Sequence, residues 1–242
     1  MDTVEITRER FITTAAIRRP EAMNAINFDV MEHLETLLDE LENDPEIRLF
    51  ILTGTGKSFI SGGDLREFHG IEDADGAKEM SHRMIRILTR INQLPCWTLA
   101  AVNGVTYGGG WETMLAFDFR VAASSATFGF TQGKFYLPPG WGGISSLAKA
   151  VGKPRASYWL ASQKIVDAQT AFQAGLIQDL FEEEEYEEKL RQVKKKLTLN
   201  DRPFIEYLKQ SQNYLDSAEE IEPFSRFWES EEHRKRVEEF LG

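Results

Sequence analysis

The chain has 242 residues, sixteen Phe and five Trp among them, enough apolar material for one large domain or a domain with an appendage. Its 39 acidic and 28 basic side chains leave a formal charge of -11, which argues against general affinity for nucleic acid or an anionic membrane. The one cysteine, Cys96, cannot close an intrachain disulfide and reads as a small buried residue; with no apolar signal core and no run near the roughly 20 residues of a membrane span, a cytoplasmic protein is expected.

In chain order, "VEITRERFITTAAI" alternates as a strand pair around Arg8, Glu9 and Arg10. "FDVMEHLETLLDELEND" places Val30, Leu34, Leu37, Leu38 and Leu41 on one helical face. "IRLFILTGTG" is a continuous apolar run closed by glycines, hence a strand buried on both faces. A helix is expected over Ala77 to Asn92, then a second buried strand in "WTLAAVNG". "WETMLAFDF" reads as an apolar helix and "FRVAAS" as a strand, with helices near Ser145 to Ala150, Arg155 to Ser162 and Asp167 to Ala174. Strands alternating with helices predict an α/β fold with buried parallel strands. "EEEEYEE" followed by "KLRQVKKK" suits a solvated helix, negative at its start and positive at its end. From about Leu199 the chain turns charged and helical, a candidate appendage.

Several patterns are decoys. "GTGKSF" ends like a phosphate-binding loop, but the glycine required at position 51 is Ile51. No G-x-S-x-G elbow is present, and His33, His69, His82 and His233 lack metal-ligand spacing, so no metal is expected.

The informative feature is a pair of glycine elbows, "FISGGDLREF" and "NGVTYGGGWETM", each an apolar strand feeding a helix. A helix start carries unpaired N–H groups, and glycine lets a ligand approach them closely. If the elbows face one another, two N–H groups converge on one oxygen.

"FISGGDL", "AAVNGVTYGGGWE", "FRVAASSATFGF", "PPGWGG" and "AVGKPRASYWLAS" through "DAQTAFQAGLI", in that order, resemble the crotonase (enoyl-CoA hydratase/isomerase) superfamily from Arg18 to about Leu180. The resemblance implies an α/β spiral of repeated ββα units over residues 1–197 and a C-terminal helical trimerisation or lid region over 198–242. It implies an acyl-CoA thioester as substrate, coenzyme A entering only as part of that substrate, no permanently bound cofactor, and a homotrimer or hexamer. It also implies that Gly63 and Gly109 donate the two N–H groups to the thioester oxygen, with Glu112 as acid–base group. Lys57 and Ser61 match positions near the coenzyme A adenosine and phosphates; Asp64, Phe68, Gln132 and Trp141 complete the expected substrate-binding set, with Phe130 and Tyr136 as further acyl-pocket candidates and His69 as a candidate second proton carrier.

The family's hydratases use two glutamates, and the second position is Gln132 here. Glutamine can hold a water but cannot carry a proton near neutral pH. One carboxylate and an oxyanion hole suit enolate chemistry, so the sequence favours a lyase or isomerase, decarboxylation of a malonyl-type thioester first and double-bond shifting next. Enoyl-CoA hydration and a non-catalytic acyl-CoA-binding homologue are the alternatives. Pro139 stands where the methylmalonyl-CoA decarboxylase type has tyrosine and the naphthoate synthase branch has aspartate. Coenzyme A phosphates would find only Arg234, Lys235 or Arg236 in the last helix.

Overall fold

The computed structural model describes residues 2–211 and 217–242; residues 212–216 of the expected helical region lie outside the described residues. β1 (Val4–Glu9) and β2 (Ile12–Ile17) form the expected hairpin, Val4 opposite Ile17 and Glu9 opposite Ile12, turning through Arg10 at φ 26°. Asn27 then accepts the Val30 N–H through its side chain and starts α1 (Phe28–Asn43), which buries the expected face together with Met31.

Three turns of chain follow one plan. The first lays down β3 (Leu49–Gly54) and β4 (Ser58–Ile60), then α2 (Leu65–Phe68) and α3 (Ala74–Gln93). The second gives β5 (Trp97–Val102), β6 (Val105–Tyr107) and α4 (Gly109–Met114). The third gives β7 (Phe119–Ala123), β8 (Thr127–Gly129), α5 (Gly143–Val151) and α6 (Lys153–Ala161). After β9 (Ile165–Asp167), α7 (Ala168–Gln173) and β10 (Asp179–Phe181), the chain is helical: α8 (Tyr186–Leu197), α9 (Arg202–Ser211), α10 (Ile221–Glu229) and α11 (Glu231–Leu241). Each turn places its long strand in a six-stranded sheet of order β1-β2-β3-β5-β7-β10 and its short strand in a four-stranded sheet of order β4-β6-β8-β9. That is the ββα spiral.

The continuous apolar strands are explained by cover on both faces. Phe50, Leu52, Ala100 and Val102 join α1 and α3 in the main core, while Leu49, Ile51, Leu99 and Ala101 point to the opposite face, under Tyr186 and Leu190 of α8. α9 is tied to this framework by buried Ile205 and by Lys209, which donates to the carbonyls of Leu94 and Cys96 and pairs with Asp118 at 2.8 Å.

Three details differ from the sequence expectation. α3 starts three residues before Ala77, because the Asp73 side chain accepts the Gly76 N–H and caps it. The apolar stretch "WETMLAFDF" is helical only to Met114, and Asp118 turns back to accept the Thr98 N–H and hydroxyl. The strands of the second sheet are three residues long, too short to show alternation. No described helix is long and apolar enough to cross a membrane.

Candidate active site

The two elbows do meet. A Cβ built on Gly62 would lie 3.5 Å from the Gly109 nitrogen, and one on Gly108 would lie 3.6 Å from the Gly62 Cα. The first elbow is pinned by Asn24, which is fully buried: its amide donates to the carbonyls of Thr55 and Ser58, at 2.8 and 2.6 Å, and its oxygen accepts the Arg19 N–H. Ile26 forms a parallel bridge with Gly63, taking its bonds from the Gly62 carbonyl and the Asp64 N–H. In such a bridge the central residue's own N–H points to the other side, so the Gly63 N–H faces away from Ile26. Gly109 is the first residue of α4, where no intrahelical acceptor exists for its N–H.

The glycine triplet serves three separate ends. Gly108 has φ 51° and ψ -124°, a conformation open to glycine. Gly109 has no room for a side chain: a Cβ would lie 2.5 Å from Cε3 of Trp141 and closer still to Cζ3. A Cβ on Gly110 would overlap the Ile60 carbonyl of β4. Gly63 is equally crowded, with Phe68 Cε2 at 2.6 Å and Trp141 Cζ2 at 3.4 Å from its built Cβ. The Trp141 indole therefore stands against both glycines.

Glu112, on α4 and 4% exposed, lies beside this ring. Its Oε2 accepts the backbone N–H groups of Trp141 and Gly143, each at 2.9 Å, at the start of α5. Its Oε1 accepts the Gln132 amide at 3.1 Å, and the Gln132 oxygen in turn accepts the Trp111 indole N–H at 3.2 Å. Burial raises the Glu112 pKa above the ordinary carboxylate range, and the donors from Gly143, Trp141 and Gln132 offset that only in part. The Gly140 N–H also acts on the carboxyl and favours its ionised form.

Other expected site residues sit less directly. Asp64 pairs with Arg19 at 2.7 Å and caps α2 through the Arg66 N–H, which fixes its carboxylate at the end of the first elbow. Burial would raise its pKa, but the Arg19 and Arg66 hydrogen bonds and the Arg19 charge together hold it below the usual value. Phe68 is half-buried, against Gly63 and edge-on to Phe28. The Ser61 hydroxyl donates to the Ala22 carbonyl, and the Lys57 side chain is exposed at the entrance to β4. Phe130 belongs to the core, between Trp111 and Trp159, and Tyr136 is 97% exposed. His69 is exposed at the end of α2 and contributes none of the hydrogen bonds to Glu112. Arg236 is engaged with Glu232 and Asn200. Among the described residues no group of three His, Cys, Asp or Glu is placed to share a metal ion.

Residues that sequence reading passed over hold the site together. Arg19 and Asn24 lie in "RRPEAMNAI", where the family resemblance begins, yet nothing in their spacing shows that they grip an elbow 30 residues or more away. The Trp111–Gln132–Glu112 chain was equally hidden, since it joins the second and third turns of the spiral.

A ββα spiral with two facing glycine elbows, a buried carboxylate beside them and an indole across both is the arrangement expected of the crotonase superfamily. The family model for enoyl-CoA hydratase/isomerase matches residues 7–232, and the chain belongs to that family. It is 29% identical over 251 residues to a short-chain-enoyl-CoA hydratase of Clostridium acetobutylicum, covering 100% of this chain and 95% of the relative. A crotonyl-CoA hydratase of Syntrophomonas wolfei is 32% identical over 195 residues, covering 80% of this chain and 74% of the relative. The crystal structure of an enoyl-CoA hydratase from Bacillus anthracis superposes with a TM-score of 0.90 at 25% identity, covering 99% of this chain and 96% of that one.

Proposed function

We propose that the protein transfers protons at C2 of a short acyl-CoA thioester, with the addition of water to a 2-enoyl-CoA as its principal reaction. The observation that carries the acyl-CoA reading is Glu112, buried and held by backbone N–H groups and Gln132, on the helix that Gly109 begins. The names of the relatives favour water addition over the lyase or isomerase that the sequence ranked first, so that order is reversed. Physically, hydration needs no second carboxylate, because it consumes and releases no net proton. Glu112 takes a proton from water as its oxygen bonds to C3. The C2=C3 electron pair moves onto the thioester oxygen, held by the N–H groups of Gly63 and Gly109. The same carboxyl then returns the proton to C2. Gln132 keeps one amide hydrogen and one oxygen lone pair for holding the water.

Decarboxylation is the second reading, favoured by the burial of Glu112, which raises its pKa and so favours the acid form. There the C–C bond to the carboxylate breaks, its electrons form the same enolate, and protonated Glu112 delivers a proton to C2. The two readings require opposite starting states. Hydration begins with ionised Glu112, so kcat/KM should rise with pH through its raised pKa; decarboxylation begins with the acid and should fall through it. Crotonyl-CoA and malonyl-CoA, followed by product mass across pH, test this. In the hydration reading Gln132→Glu keeps activity on crotonyl-CoA, and no turnover of either thioester would remove both readings.

A homo-oligomer, trimeric or hexameric, belongs to the same proposal. Phe224, Trp228, Phe240 and Leu241 of α10 and α11 are all more than half exposed, an apolar face that a second copy would cover. Light scattering should give at least three chains per particle; a monomer at assay concentration counts against it.

A further inference from the structure

A cavity of about 430 Å3, lined by Glu112, carries two cations that form no ion pair with a described acid. It is walled by Leu88 and Asn92 of α3, Trp141, Arg120 of β7 and Lys149 of α5, and it opens outward where Lys149 is exposed. The Arg120 Nε donates to the Leu176 carbonyl at 2.7 Å and Nη1 to the Phe117 carbonyl at 2.8 Å. Its Nη2 has no hydrogen bond or ion pair among the described residues. Asp118, two residues earlier, is already occupied by Lys209 and by both donors of Thr98. Burial pulls the Arg120 pKa down despite the charge of Asp118, as expected of a guanidinium without an ion-pair partner. Lys149 likewise pairs with no described acid. In a chain with 39 acidic and 28 basic residues, two cations without an ion pair, against the single carboxyl of Glu112 in the same cavity, leave a place for an anion.

Trp141 is shared between the cavity and the glycine elbows: it stands against Gly63 and Gly109 and forms part of the cavity wall. Glu112 lines the cavity as well, so an acyl chain running from those glycines past Glu112 would be directed toward Arg120 and Lys149.

We propose that this cavity binds a carboxylate at the far end of the acyl group, so that the preferred substrates are coenzyme A thioesters of short dicarboxylic acids. This rests on the acyl-CoA reading above and adds to it a class of acyl group. The free carboxylate accepts from Arg120 Nη2 and from Lys149, and the reacting carbons lie by Glu112. A simple alkyl chain would leave both cations facing apolar carbon.

Calorimetric titration of the full chain with glutaryl-CoA and butyryl-CoA tests this by binding alone, since neither thioester has a double bond to hydrate. Glutaryl-CoA should bind about tenfold more tightly, the scale of one charge-assisted hydrogen bond. Lys149→Met should narrow that ratio about threefold, and Lys149→Glu should bring it to one or below; Lys149 is exposed, so neither variant endangers folding. Equal affinities in the unmodified protein, or a ratio unmoved by both variants, would overturn the carboxylate subsite and leave the acyl-CoA reading standing. Failure of both thioesters to bind would overturn the two together.

Discussion

Glu112→Gln is expected to lower kcat by about 10²- to 10⁴-fold on whichever thioester the protein turns over, the range that a positioned acid–base group supplies. The loss is chemical first, since an amide cannot take a proton from water or return it to C2. There is also a packing consequence. The glutamine oxygen can accept the Trp141 and Gly143 N–H groups, but its amide nitrogen then faces the Gln132 nitrogen across a site where 3.1 Å now separates donor and acceptor. Gln132 cannot turn over to relieve this, because its oxygen holds the Trp111 N–H. One donor is left unsatisfied, at a cost of about 1–3 kcal/mol.

The pH dependence separates the two effects. Burial places the folded-state pKa of Glu112 above its unfolded value near 4.5, so the folded protein holds the proton more tightly. Stability of the unmodified protein therefore declines as pH rises from that unfolded value through the folded one, and the variant lacks this decline. Urea unfolding at about pH 5 and about pH 8 should show the unmodified protein losing ground relative to the variant between the two. Retention of kcat within tenfold would exclude Glu112 as the proton carrier.

Gly109→Ala is expected to fail for a different reason. Its backbone lies at an ordinary helix start and would accept alanine, but the added methyl would strike the Trp141 ring. The ring has little room to retreat, being 7% exposed and bounded on another side by Gly63. Overpacking of this kind costs about 1–3 kcal/mol. Any shift of α4 also misaligns the Gly109 N–H, and losing one such donor lowers the rate by about 10²- to 10³-fold. Thermal unfolding and kcat should therefore fall together in this variant. A folded Gly109→Ala protein with undiminished kcat would mean that this N–H does not face the reacting oxygen.

Much of the architecture was legible because burial writes itself into composition. Leu49 to Leu52 and Leu99 to Val102 are apolar without alternation, since each strand is covered by helices on both faces. The α1 stripe of Val30, Leu34, Leu37, Leu38 and Leu41 is likewise periodic because one side faces the core. The three-residue strands of the second sheet carry no such signal, and their pairing depends on neighbours many residues away.

The site divides along the same line. Local requirements appear in the sequence: glycine where φ is positive or a ring presses close, and a carboxylate on the first turn of an apolar helix. The two elbows and Glu112 stood out that way, while the choice of Gly63 and Gly109 as the donors came from the family resemblance. What only the tertiary structure decided is which groups those residues meet. Gln132 becomes a fixed donor because Trp111, 21 residues earlier, takes its oxygen. Asp64 becomes an anchored anion because Arg19, 45 residues earlier, reaches it. Arg120 and Lys149 come to share a cavity because β7 and α5 of the third turn flank the end of α4. A hydrogen bond or an ion pair acts over a few ångströms in space and is indifferent to separation along the chain, so these partnerships leave no periodic trace for a sequence to show.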